Sequence, residues 1–244
     1  MSNKKRLDLL VLERYPALTR NQIQSFIIQG KVLVDGSPIT KPGTPTPEDV
    51  TILVTEETPR YASRAGFKLE AALDHFNVDV KDKIAMDAGI STGGFTDCLL
   101  QRGIKRVYGV DVGYGQVHEK IRNDQRVILL EKTNVRLLTK LPEQVDLVTL
   151  DLSFISVLKV MPAIKHLIKP DGKIIVLIKP QFEAEREDIS KGGIVKNDAI
   201  HQRVITKIKT GMAEFGFKCT GVIDSPILGA TSGNKEFLGF FEQQ

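Results

Sequence analysis

Apolar and polar positions follow two regimes along this chain. Between Arg6 and Tyr15, Leu7, Leu10 and Val11 recur on one helical face, and Pro16 stops the run. Thr19 with Gln22 three positions later reads as a capping box, Ile23, Phe26 and Ile27 follow at i, i+3, i+4, and Gly30 closes the second helix. Val32–Val34, the turn Asp35-Gly36 and the extended stretch after it predict a hairpin, and a strand at Val50–Val54 completes a small α+β unit. Short elements with few apolar anchors bound this region to a compact module.

From residue 60 onward the apolar runs lengthen. Tyr61 to Phe76 predicts a helix with Leu69, Ala72, Leu73 and Phe76 at helical spacing. Strands are then predicted at 84–87, 107–111, 127–130, 146–151 and 173–179, and helices at 95–101, 114–122, 157–168 and 198–215. Alternation of this kind argues an α/β fold, a Rossmann-like, mostly parallel doubly wound sheet. The last two strands, 220–224 and 237–241, are joined by a loop alone, which predicts an antiparallel pair at one edge. Glu56-Glu-Thr-Pro59 reads as the hinge, giving domains at 1–58 and 59–244.

Composition adds little until the charge is divided. The chain has 244 residues, 41% hydrophobic and 26% charged, ordinary for a globular protein of one large domain and a small one. Its net charge of +4 lies wholly within residues 1–47, where seven basic residues face three acidic ones. Lys4, Lys5, Arg6, Arg20 and Lys31 are therefore candidates for contacts with RNA phosphates, with Gln24 on the same polar side, although a solvated basic face would read the same way. No signal peptide, membrane span or stable membrane association is expected, because the apolar run at 174–178 is too short. Cys98 and Cys219 lie far apart and the four histidines show no ligand spacing, so neither a metal site nor a disulfide is expected, and a cytoplasmic location fits.

The chemistry concentrates at predicted strand ends. Ile84-Ala-Met-Asp87 runs into Gly89-Ile-Ser91-Thr92-Gly93-Gly94, where missing Cβ atoms let the backbone approach a bound molecule and the next helix presents free N–H groups. Gly89-x-x-x-Gly93-Gly94 departs from the dinucleotide pattern G-x-G-x-x-G, and the acid before it suits a cationic nucleoside better than a pyrophosphate. Asp111, about twenty residues on, ends the second strand where such folds hold a ribose diol. There is no phosphate-binding G-x-x-x-x-G-K-[ST] loop. Asp151 is open to use as a helix N-cap or as a site residue. Lys179, ending an apolar and therefore central strand, must reach a polar pocket or solvent.

Taken together, Ser63-Arg-Ala-Gly-Phe-Lys68, Asp87 to Asp97, Val110-Asp-Val-Gly113, Asp151-Leu-Ser-Phe-Ile-Ser156, Lys179-Pro-Gln-Phe-Glu183 and Gly233-Asn-Lys-Glu236 resemble the TlyA family over nearly the whole chain. Its members are RNA 2′-O-methyltransferases with an FtsJ-like catalytic half, historically labelled haemolysins. Ala65 and Ile90 depart mildly from the usual pattern without removing a functional group. Residues 5–56 likewise resemble the α-L RNA-binding module of a small-subunit ribosomal protein and tyrosyl-tRNA synthetases.

The resemblance implies a catalytic set of Lys68, Asp151, Lys179 and Glu236. It also implies S-adenosylmethionine held by Asp87, Gly89, Ser91, Thr92, Gly93, Gly94 and Asp111, with Asn134 near the adenine, and cytidine ribose in ribosomal RNA or a ribosomal subunit as acceptor. A ribose hydroxyl is a poor nucleophile, so methyl transfer needs a proton acceptor and rigid alignment. Lys179 as that base, and Lys68 steadying an alkoxide or a phosphate, are both open roles. The charged segment 183–193 and the stretch 229–233 are candidates for shaping the RNA entrance.

Rival classes lack their signatures. No Asn/Asp-Pro-Pro-Tyr/Phe follows the fourth strand, neither cysteine suits pyrimidine carbon methylation, and no amphipathic membrane element is visible. A non-catalytic RNA-binding protein and a haemolysin-like membrane-active protein stand as the alternatives.

Overall fold

The structure is a computed structural model that describes residues 4–55, 60–229 and 233–243. The predicted hinge at 56–59, and with it the proposed domain boundary, lies outside the described residues, as does most of 229–233. The chain divides into two compact units, Met1–Arg60 and Tyr61–Gln244.

In the first unit, β1 (Lys4–Arg6), α1 (Leu7–Arg14), α2 (Arg20–Ile28), β2 (Val32–Val34), β3 (Ser37–Pro38), β4 (Pro45–Pro47) and β5 (Ile52–Val54) follow in order. The capping box forms: Thr19 Oγ1 accepts the Gln22 N–H, and Gln22 Oε1 accepts the Thr19 N–H. Asp35 and Gly36, both at positive φ, make the tight turn between β2 and β3, and β2 also pairs with β5. Leu7, Val11, Ile23, Ile27 and Val32 are fully buried in a single core. β1, whose three residues are all basic, has no apolar pattern to announce it and pairs antiparallel with β4.

The second unit contains α3 (Ala65–His75), β6 (Ile84–Ala88), α4 (Gly94–Gln101), β7 (Arg106–Val110), α5 (Glu119–Arg122), β8 (Val127–Leu130), β9 (Val145–Leu150), α6 (Met161–Leu167), β10 (Ile168–Ile178), α7 (Pro180–Glu183), α8 (Asp198–Glu214), β11 (Phe217–Asp224) and β12 (Phe237–Gln243). One seven-stranded sheet runs β11-β12-β10-β9-β6-β7-β8. The strands β10, β9, β6, β7 and β8 are parallel, and β12 is antiparallel to both of its neighbours, so the reversed strand is paired on both sides and β11 forms the edge.

Side-chain alternation along the central strands divides the core between the two faces. Met86, Val148, Ile174 and Val176 pack with Met161, Ile164, Val204 and Ile208 of α6 and α8. Ala85, Leu147, Ile175 and Leu177 pack with Leu69, Leu73, Phe95, Leu99 and Ile121 of α3, α4 and α5. Two predicted helices are shorter than expected. The segment 114–122 is helical only from Glu119, and 157–168 splits into a 3-10 turn at Val157–Lys159 and α6, whose first turn carries Pro162.

Chain order reverses between β6 and β9: β7 and β8 are laid down on one side of β6, β9 and β10 on the other. Ligands in open α/β sheets bind outside the carboxyl ends of strands at such a switch point. Here those ends lead into Gly89 and Asp151.

Candidate active site

At the switch point the two strand ends are in backbone contact. The Asp151 N–H donates to Ala88 O at 3.1 Å, and the Gly89 N–H donates to Val110 O at 2.8 Å. Gly89 has φ +88°, and a Cβ placed there would lie 2.4 Å from the Asp151 carbonyl oxygen. A Cβ on Gly94 would meet Ser63 Oγ at 2.2 Å, and one on Gly93 would meet Ile121. Protein packed against the loop thus requires glycine at these positions.

Two cavities open at this end of the sheet. One, of about 410 Å³, is lined by Gly89, Ser91, Asp111, Thr133, Asn134 and Asp151 among others. The Asp111 carboxylate is fixed by the N–H groups of Ser91 and Gly113, each at 2.8 Å, and Asn134 Oδ1 caps a turn by accepting the Arg136 N–H. Asp87, Thr92, Gly93 and Gly94 do not line this cavity. Asp87 lies beneath it, fully enclosed, accepting hydroxyl protons from Thr96 at 2.7 Å and Thr149 at 2.9 Å. Burial pushes its carboxyl up to about 6 despite these two donors. Asp87 therefore ties β6 to α4 and β9 beneath the cavity.

The other cavity, of about 750 Å³, brings together Lys68, Asp151, Lys179 and Glu236, contributed by α3 and by the segments following β9, following β10 and preceding β12. They form two ion pairs. Lys68 Nζ donates to Glu236 Oε2 at 2.5 Å, with both side chains buried. Lys179 Nζ lies 2.5 Å from Asp151 Oδ1 without hydrogen-bond alignment, and its directed hydrogen bond goes to Ser153 Oγ at 3.1 Å. Ser153 was not singled out in the sequence, although it stands two residues after Asp151 at the same strand end.

Ser91, Asp151, Ser153 and Phe154 line both cavities. Phe154 holds φ +64°, is 92% exposed and stands 5.1 Å from Phe182, ring centre to ring centre. Its loop is pinned from behind by buried Glu183, whose Oε1 accepts the Val157 N–H at 2.7 Å. The segment 183–193 contributes Gly192 and Gly193 to the wall of the larger cavity.

The basic candidates of the first unit are placed differently from one another. Lys4 is exposed, Lys5 pairs with Glu13, Arg6 and Arg20 both reach Asp8, and Lys31 is half-buried at the start of β2. Among the described residues no group of histidine, cysteine or carboxylate side chains is arranged to hold a metal, and no helix is long and apolar enough to cross a membrane.

Comparison with known proteins agrees with this architecture. Residues 61–242 match the FtsJ-like methyltransferase family and residues 5–50 match the S4 domain. The chain is 39% identical to the 16S/23S rRNA (cytidine-2′-O)-methyltransferase TlyA of Mycobacterium tuberculosis, covering 100% of this chain and 92% of that one. It is 40% identical to hemolysin A of Brachyspira hyodysenteriae, covering 97% and 99% respectively. A solved structure described as a hemolysin, from Streptococcus thermophilus, superposes with a TM-score of 0.76 at 38% identity, covering 100% of this chain and 90% of that one. The chain belongs to the TlyA/haemolysin A family, an S4 domain followed by an FtsJ-like methyltransferase domain.

Proposed function

We propose that this protein transfers a methyl group to the 2′-oxygen of a cytidine ribose in ribosomal RNA, in the cytoplasm. The observation that carries the reading is the shared wall: the cavity bearing Asp111 and the cleft bearing both lysines meet at Ser91, Asp151, Ser153 and Phe154. Two substrates lying in these cavities would face each other across that wall, as a direct transfer requires.

The smaller cavity fits S-adenosylmethionine. Its volume suits a nucleoside-sized ligand, and Asp111 offers a rigid carboxylate whose remaining lone pairs can accept a ribose diol. Gly89, Ser91, Asp111 and Asn134 would hold the molecule, which supplies a sulfonium methyl as the electrophile. Lys179, after losing its own proton to solvent, takes the proton of the 2′-hydroxyl, and Asp151 stabilises the ammonium that results. Ser153 fixes the direction of Nζ. Lys68, tied to Glu236, places a second positive charge in the cleft against the oxygen as negative charge develops on it. Phe154 and Phe182 give the cleft an aromatic wall against which a base can stack.

The test is mass-spectrometric mapping of 2′-O-methyl nucleosides in rRNA from cells with and without this protein. A cytidine methylated only when the protein is present is the expected result. Identical maps, together with calorimetry showing no S-adenosylmethionine binding, would turn the assignment toward a non-catalytic RNA-binding protein.

A further inference from the structure

Asp8, in the first turn of α1, is fully enclosed, yet the two arginines that enclose it are about half exposed, at 51% for Arg6 and 54% for Arg20. Its carboxylate collects Arg6 Nε and Nη2 at 3.0 Å each, Arg20 Nη2 at 3.2 Å, Gln24 Nε2 at 3.0 Å and the Leu9 N–H at 3.1 Å. The Arg6 guanidinium holds the Asp8 carboxyl well below the usual carboxylate range, aided by Gln24 and Arg20 and opposed by burial. The side-chain donors come from β1 and α2, segments that would otherwise carry independently moving side chains.

Each guanidinium is anchored on one edge only. Arg6 Nη1 and Arg20 Nε and Nη1 are not among the atoms that reach Asp8. Gly43 lies against the Arg6 guanidinium, where a Cβ would come to 3.4 Å from Nη1 and 3.6 Å from Cζ and Nη2, so glycine leaves room for the planar group. An arginine already fixed by a carboxylate loses little rotamer freedom on meeting a phosphate, whereas a mobile one loses much.

We infer that Asp8 is the positioning residue of a phosphodiester clamp, fixing Arg6 and Arg20 so that their outward N–H groups donate to one stretch of RNA backbone. This rests on the RNA-binding reading above. It also reverses the usual sign of an acidic residue on an RNA-binding face, since Asp8 strengthens binding despite its charge.

The experiment titrates full-length protein against a fluorescein-labelled RNA hairpin by fluorescence polarisation across a salt series, since phosphate contacts are independent of sequence. Asp8→Asn raises the net charge by one, so simple electrostatics predicts tighter binding. The clamp predicts about tenfold weaker binding near 0.1 M salt, with the slope of log K against log salt shallower by about one to two. In an Arg6→Gln/Arg20→Gln background, Asp8→Asn adds nothing further. Should circular dichroism show Asp8→Asn unfolded, Asp8→Glu keeps the charge while displacing the carboxylate, and the same weakening is expected. Equal or tighter binding by a folded Asp8 variant overturns the inference, as does equal weakening when both arginines are absent. Wild-type protein that binds neither the hairpin nor rRNA overturns the RNA reading as well.

Discussion

The two lysine–carboxylate pairs in the cleft share a composition and differ in construction. Lys68 and Glu236 are both buried and joined by an aligned hydrogen bond, whereas Lys179 shares its contacts between Asp151 and Ser153 at the boundary of the two cavities. A buried, aligned pair is rigid and costly to disturb from either side. A pair with a second, neutral partner and an opening to solvent can exchange contacts as substrate arrives. Asp87, a third carboxylate at the same end of the sheet, has hydroxyl donors and no cation, and burial pushes its carboxyl up to about 6. A partner lysine, more than depth in the protein, distinguishes Asp151 and Glu236 from Asp87.

Lys179→Ala puts the largest effect on the comparison. Methyl transfer is expected to fall by about 10²–10⁴-fold with unchanged S-adenosylmethionine binding by calorimetry and an unchanged melting transition. A rate near wild type on methylatable rRNA would remove Lys179 from the proton-transfer role. Glu236→Leu acts on the other pair, leaving Lys68 buried without a counter-charge, at a cost of roughly 3 kcal/mol in denaturant unfolding. Adding Lys68→Met should restore most of that stability without restoring activity. Recovery of both would make the Lys68 pair purely architectural.

The third carboxylate supplies a pH test. Its pKa in the folded protein lies above that of the unfolded chain, so between about pH 4 and 6 the folded state holds the extra proton and stability falls as pH rises. Asp87→Asn removes this contribution. The stability difference between wild type and variant should therefore shift against wild type by about 2–3 kcal/mol from pH 4 to pH 7.5. A flat difference across that range would mean that Asp87 is ionised throughout. Ser153→Ala is the mildest change, with about a fivefold loss in kcat and little change in KM, because one hydrogen bond to Lys179 is removed while the ion pair remains.

What could be read from the sequence follows from what physical rule each feature obeys. The capping box at Thr19 and the β2–β3 turn at Asp35-Gly36 are local chemistry, and both form as expected. Lys179 stood out because a charge at the end of an apolar strand must find a pocket or solvent, whereas Lys68 in a helix and Glu236 before a strand carried no such signal and rested on the family resemblance. Long-range pairing was hidden: β1 is a basic tripeptide whose pairing with β4 no apolar pattern announces. The split of 157–168 carried a usable signal in Pro162, which favours a first helical turn over a helix interior. Strand order alone does not say whether the side chain at the end of β6 points into the pocket or under it; for Asp87 the hydroxyls of Thr96 and Thr149 decide that. Asp8 entered the sequence reading only as a negative charge to subtract, since its enclosure by Arg6 and Arg20 depends on α1 and α2 packing together.

Gly89 carries a last consequence. With its Cβ space taken by the Asp151 carbonyl, the loop facing one cavity and the acid facing the other are parts of a single backbone joint. The spacing between donor and acceptor is then gauged by main-chain contact, as by a fixed ruler. Side chains around either cavity can change to alter affinity while that gauge stays put, whereas any side chain at position 89 would move both ends of the reaction at once.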